Sequence, residues 1–198
     1  MAYSNFGAGL LGLALAHTAG SDYETLVCER ITDPLGMADT VIILSADQRA
    51  RIAPGTTRRD KPAGLWSISG LVGAGALRST VADLLKFARA QMGLLPPDAP
   101  VDLAAAIAAT HEPRARGSRL APAMRMGLGW QLLPAGRTKL ETVWHNGGTG
   151  GYRSFLGFAP SISSAAVVLS ANQRTVDPIG FELLQRIDAS RAHSADPV

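Results

Sequence analysis

His145-Asn146-Gly147-Gly148-Thr149-Gly150-Gly151-Tyr152 lies between two runs of strand-forming residues, 140–144 and 152–158. Val, Trp, Tyr and Phe suit a pleated, half-buried surface, and the glycines between them permit a tight reversal, so the stretch reads as strand, turn, strand. A phosphate-binding loop is excluded, because no Gly-Lys-Ser or Gly-Lys-Thr follows and the next element reads as a strand rather than a helix. Two further runs, 130–133 and 165–170, bring the expected count to four strands. His145 then closes a strand. Its side chain can face a cleft there, while Gly147 and Gly148 let a ligand approach the backbone.

Outward from these strands the periodicity changes. Ile179, Leu183 and Ile187 recur at helical spacing with Arg186 outside, which predicts an amphipathic C-terminal helix against the sheet. Residues 6–19 are small or apolar all round, as for a helix packed on every side, and Gly20 can supply a left-handed stop. Ser21 and Glu24 have capping-box spacing for a second helix through Leu26, Val27 and Ile31 that ends before Pro34. The stretch 40–75, broken by Pro and Gly, predicts irregular structure with brief strands. Ser79 or Thr80 caps a further helix with Val81, Leu84, Ala88 and Met92 on one face. Pro96, Pro97 and Pro100 form a linker, and 104–109 is a short helix. Helix and loop therefore fill 1–126, and strands plus the last helix fill 127–198, within one domain. The expected fold class is α/β (α+β), an antiparallel sheet covered by helices.

Composition narrows the function. With 198 residues and 46% hydrophobic content the chain can bury a core. The net charge is only +3, and the densest basic stretches, Arg58, Arg59 and Lys61, then Arg114, Arg116 and Arg119, fall in loop-like sequence, so no nucleic-acid footprint is present. Cys28 is the only cysteine, and His17, His111 and His193 are widely spaced, so neither a disulfide framework nor a metal motif is indicated. The uncharged stretch 2–20 lacks a basic leader and is interrupted by Asn5, Gly7, Gly9 and Gly12, which argues against a signal peptide or a bilayer span. The compartment is left open.

Tyr3-Ser4-Asn5, just before the first helix, is the second segment with chemistry to offer. Between it and His145 come Pro34-Leu35-Gly36-Met37, then Ala74-Gly75-Ala76-Leu77-Arg78-Ser79-Thr80, then Gly127-Leu128-Gly129-Trp130. In this order and spacing the chain resembles the serine β-lactamase, penicillin-binding DD-peptidase and esterase family, whose second and third motifs read Tyr-x-Asn and then Lys or His, Thr or Ser, Gly. The resemblance covers nearly the whole chain. It implies that Tyr3 is a phenolic base or proton relay beside a serine, that His145 assists it and recognises a substrate carboxylate, and that the Gly148 N–H helps form an oxyanion hole. It assigns Asn5, Asn146 and Gly147 to substrate binding, although Asn5 can also simply cap the first helix. Asn146 stands where the family has Thr or Ser, and a neutral His is a weaker carboxylate clamp than Lys. Both departures favour an esterase or peptidase over an efficient β-lactamase.

The family's first motif, Ser-x-x-Lys, sets a serine and a lysine one helical turn apart so that the amine helps deprotonate the hydroxyl. Lys61, Lys86 and Lys139 are the only lysines, and Arg58, Asp83 and Gly136 stand three residues before them. Ser154 and Ser170 do not lie in a Gly-x-Ser-x-Gly elbow. The resemblance therefore implies the C-terminal part of a larger domain, with the nucleophile helix and first strands upstream and this chain inactive alone. The intact protein would form an acyl-enzyme on an amide, β-lactam or ester, without a cofactor. The rival reading is a noncatalytic remnant that binds a ligand or partner. Expected partners are a small-molecule or peptide substrate, the upstream segment, or a second copy through exposed strand edges.

Overall fold

The computed structural model describes residues 3–68, 70–117, 121–136 and 140–195, with side chains as far as Arg191. Six strands form one sheet: β1 (Ala115–Arg116), β2 (Arg125–Met126), β3 (Gln131–Leu133), β4 (Thr142–Gly148), β5 (Arg153–Ala159) and β6 (Ser164–Ser170). They lie in sequence order, each antiparallel to the next. The four expected strands are among them. The two extra ones are two residues long, too short to show any alternation. β4 also runs on to Gly148, so His145 lies inside a strand rather than closing one.

Alternation along β4 and β5 divides the core between the two faces of the sheet. Trp144 and Phe155 point to one side, where they pack with Val176, Phe181 and Leu184 beneath α6 (Asp177–Ala195). Val143, Leu156 and Phe158 point to the other, where Trp130, Leu132, Leu84 and Phe87 close the layer. Of these, the fully buried Phe155, Phe158 and Leu184 each contribute about 1.5–3 kcal/mol. The expected inward face of α6 was rotated: Ile179 and Leu183 are 51% and 40% exposed, whereas Leu184 is 1% exposed. Gly180 explains the rotation. A Cβ there would fall 2.1 Å from the Phe155 ring, so this glycine is where the helix meets the sheet most closely.

On the other side of the sheet lies α4 (Val81–Gln91), capped by the Thr80 hydroxyl accepting from the Asp83 N–H at 3.2 Å. Asp83, not Val81, faces inward. It is 3% exposed and accepts from the Asp39 N–H (2.8 Å), the Thr40 hydroxyl (3.1 Å) and Lys86 (3.0 Å), which ties α4 to the preceding loop. α5 (Val101–His111) is longer than expected at both ends. Its last residue, His111, is held by Gln91 at 2.8 Å and wedged beside Trp130 and Phe158; burial pushes its pKa down from 6.5.

At the start of the chain, α1 (Asn5–Ala19) is capped by Ser4, whose hydroxyl accepts from the Gly7 N–H at 3.0 Å, and stops at Gly20 with φ 65°. It is not packed on every side. Gly9 and Gly12 press against Leu71, Tyr23 and Gly73, while Phe6, Leu10, Leu11, Leu13 and Leu15 are exposed. α2 (Tyr23–Val27), which continues as a π-helical turn over Cys28–Thr32, is capped by Asp22 instead of Ser21. Glu24 closes no capping box. Its carboxylate instead accepts from the Ile42 and Ile43 N–H groups at 2.6 and 2.8 Å, a tertiary demand that local spacing does not reveal. The irregular region 40–75 also contains α3 (Ala46–Ala50), with a Ser45–Gln48 capping box that carries no apolar pattern. Arg58, Arg59 and Lys61 lie exposed in their loop, Arg114 is exposed, Arg116 sits exposed in β1, and Arg119 falls outside the described residues. No helix of the described residues is long and apolar enough to cross a membrane.

Candidate active site

β3 pairs with β4 only as far as Gln131 opposite Trp144, so His145, Asn146, Gly147 and Gly148 run on with one backbone edge unpaired by any described strand. β5 holds the other edge, with Gly147 opposite Ser154 and Gly148 opposite Arg153. At the reversal the Thr149 N–H donates to the Tyr152 carbonyl at 3.1 Å. Hydrogen-bond direction alternates along an antiparallel strand, so the Gly148 N–H points away from β5 and out past the end of β3. A donor placed there can receive charge developing on a carbonyl oxygen.

The glycines answer first to packing within the chain. A Cβ at Gly147 would lie 2.5 Å from the Ser154 hydroxyl, one at Gly148 2.5 Å from the Arg153 guanidinium, and one at Gly150 2.5 Å from the Trp66 indole nitrogen. The Tyr152 hydroxyl donates to the Ala53 carbonyl at 2.9 Å, and Gln173 donates to the Gly150 carbonyl. The loop preceding Trp66 is thereby held against the hairpin, which fixes the position of the β4 edge.

His145 projects to the Val143 side of the sheet. Its Nδ1 lies 2.6 Å from the Asn146 carbonyl, which only accepts, so Nδ1 carries the proton and a neutral ring leaves Nε2 as the acceptor. The Tyr3 ring stands 5.8 Å from the His145 ring, tilted by 50°. Asn146 projects to the Trp144 side, where its amide donates to Asp177 at the start of α6 at 2.7 Å. Because Ser4 takes the cap, the Asn5 carboxamide is spared that role. Tyr3, Asn5, His145, Asn146, Gly147 and Gly148 all line one cleft of about 530 Å³ that straddles the free edge of β4.

The sequence reading missed Asp177, Thr175 and Arg153, which share that cleft. Asp177-Pro178 is a recognisable helix start, but only the sheet topology brings it beside Asn146. Ser154 and Ser170 face a neighbouring cavity of about 430 Å³, together with Arg51 and Asp39. Hydrogen bonds from Arg51 hold the Asp39 carboxyl below the usual carboxylate range. A third, apolar cavity of about 800 Å³, walled by Ile31, Phe87, Leu103, Ile107 and Trp130, also reaches His145. Among the described residues no group of three or more His, Cys, Asp or Glu is placed to hold a metal ion.

This geometry has counterparts in known proteins. The beta-lactamase family profile matches residues 1–187. A human beta-lactamase-like protein is 34% identical over 93% of this chain and 36% of its own length. A Pseudomonas fluorescens beta-lactamase is 25% identical over 85% of this chain and 53% of its own length. A class C beta-lactamase solved in complex with cefoxitin has the same fold, with a TM-score of 0.82 at 23% identity over 95% of this chain and 58% of that one. A D-alanine carboxypeptidase from Burkholderia cenocepacia gives 0.77 at 26% identity over 95% of this chain and 60% of that one. The chain spans between 36% and 60% of the length of these relatives. Matched along nearly all of its length and folded as these structures are, this chain belongs to the beta-lactamase family.

Proposed function

We propose that these residues form one wall of an acyl-transfer cleft in a serine hydrolase. A serine attacks the carbonyl of an amide, β-lactam or ester, and Tyr3 takes the serine proton with His145 beside it. The oxyanion rests on the Gly148 N–H; as it collapses the carbonyl's bond to nitrogen or oxygen breaks, Tyr3 gives its proton to that amine or alcohol, and water then hydrolyses the acyl-serine ester. The observation that carries this reading is the meeting of Tyr3 and His145, rings 5.8 Å apart, at an unpaired strand edge with an outward N–H. Asn5 and Asn146, which line the same cleft, bind the substrate chain. Asn146 has no hydroxyl for a substrate carboxylate, which favours ester or peptide-like amide substrates over β-lactams.

The nucleophile is assigned to a segment outside these 198 residues, since no Ser-x-x-Lys occurs within them. The apolar cavity that reaches His145 gives such a segment a place to pack. The same absence supports a second reading, a noncatalytic remnant that binds a ligand or partner. One experiment separates the two. The chain alone, and the protein expressed with its upstream reading frame, are assayed with a chromogenic cephalosporin and short p-nitrophenyl esters. Turnover is expected only from the extended protein and only if the extension holds Ser-x-x-Lys. A natural start at Met1 supports the remnant, and turnover by the short chain that is lost on mutating one of its own serines would overturn the nucleophile assignment.

A further inference from the structure

The cleft has two sides of different chemistry. Tyr3 and His145 occupy one. On the other, Asn146 donates to Asp177 Oδ2 at 2.7 Å, and both side chains still present an oxygen that accepts no hydrogen bond from the described residues. Asp177 has no cationic partner among the described residues, and its place in the first turn of a 19-residue helix favours negative charge there. Arg153, the cation of the cleft among the described residues, sits over Gly148 on this same side and is occupied with the Thr149 and Tyr152 carbonyls at 3.2 and 3.0 Å.

Resting on the acyl-cleft reading, we propose that Asp177 determines specificity: with Asn146 it receives an ammonium or N–H donor group of the substrate beside the reacting carbonyl, and it excludes a carboxylate from that side. A substrate strand laid along the β4 edge, with its carbonyl oxygen at the Gly148 N–H, directs alternate substituents to the two sides of the sheet. Those directed toward α6 meet the two acceptors and the Asp177 charge beside Asn146, and beside Gly148 the Arg153 guanidinium, which is already engaged by two carbonyls. The substrate class is an acyl compound with an amine or amide N–H on that side, such as an amino-acid amide or ester. An acyl compound whose nearest group is a carboxylate is disfavoured by like-charge repulsion.

The test uses the 198-residue chain with alaninamide, N-acetylalaninamide and N-acetylalanine as cationic, neutral and anionic probes. Binding is followed by NMR at the Gly148 amide and the His145 ring. Alaninamide should bind tightest and N-acetylalanine weakest, separated by roughly 5-fold at low ionic strength, with the gap closing as salt is added. Asp177→Asn, which keeps the shape and the Asn146 contact, should abolish the order; if that variant does not fold, the probe order in the parent chain and its salt dependence still decide. Equal affinity for all probes, or an anionic preference set by Arg153, overturns the inference while the shifts at Gly148 and His145 leave the cleft standing. No shift at either position with any probe overturns both.

Discussion

α1 and α6 are the two longest helices, 15 and 19 residues, and they use their apolar residues in opposite ways. α6 turns Gly180, Phe181 and Leu184 onto Trp144 and Phe155 and leaves much of its remaining surface polar. α1 is apolar nearly all round, yet it buries only Gly9, Gly12 and Ala16 and presents five large apolar side chains to solvent. One helix is anchored by what it packs against, whereas the other carries a composition that its described neighbours do not use. The difference reaches the candidate site, since His145 stands on the anchored sheet and Tyr3 stands at the head of the loosely held helix.

The largest expected effect contrasts the two regions directly. Phe155→Ala empties a fully buried ring site between β5 and α6 and should destabilise the chain by about 3–5 kcal/mol in urea unfolding, whereas Leu11→Ala on the exposed face of α1 should change it by less than about 0.5 kcal/mol. Comparable losses at both positions would show that α1 is covered in solution, most simply by a second copy.

That possibility has its own measurement. The exposed leucines of α1 and the outer edge of β6, which no described strand pairs, should make the isolated chain self-associate. Leu10→Lys with Leu11→Lys should shift light scattering toward monomer, while Ile179→Lys on the outer face of α6 should do so less. A monodisperse parent chain with a sharp cooperative melt would contradict this expectation.

A smaller effect distinguishes the anchored side by pH. The folded His111 resists protonation because it is buried, while the unfolded chain titrates near 6.5, so the unfolded state binds the proton first. Stability is therefore fully present above that value and falls as pH drops below it. Lowering pH from 7.5 to 5.5 should reduce Tm by about 1–3 °C more in the parent than in His111→Gln, which keeps a partner for Gln91. Identical slopes would remove His111 from the account.

The sequence foretold those features that local chemistry dictates. Gly20 stops α1 as its position implies, although Ser4 rather than Asn5 takes the cap, and the four β-type runs are strands of the sheet. It was misleading where a tertiary partner decides. Leu184 and Gly180 face inward because Phe155 admits only a glycine at the closest point, and apolar spacing instead selected Ile179 and Leu183. Glu24 has the spacing of a capping residue but serves the backbone of Ile42 and Ile43. In the site, the motif residues were legible by type. Asp177 was not, because it reaches Asn146 only after β4, β5, β6 and α6 have folded back on one another.

The central claim is that Tyr3 and His145 act on one transition state. Its most direct measurement is a double-mutant cycle on the protein extended to include a Ser-x-x-Lys segment, with kcat determined for Tyr3→Phe, His145→Ala and the pair. Each single change should lower kcat by roughly 10² to 10⁴, and the double variant should lose little more than the worse single one, because groups that serve one proton transfer are not additive. Fully multiplicative losses, or a single variant with unchanged kcat, would contradict a shared site.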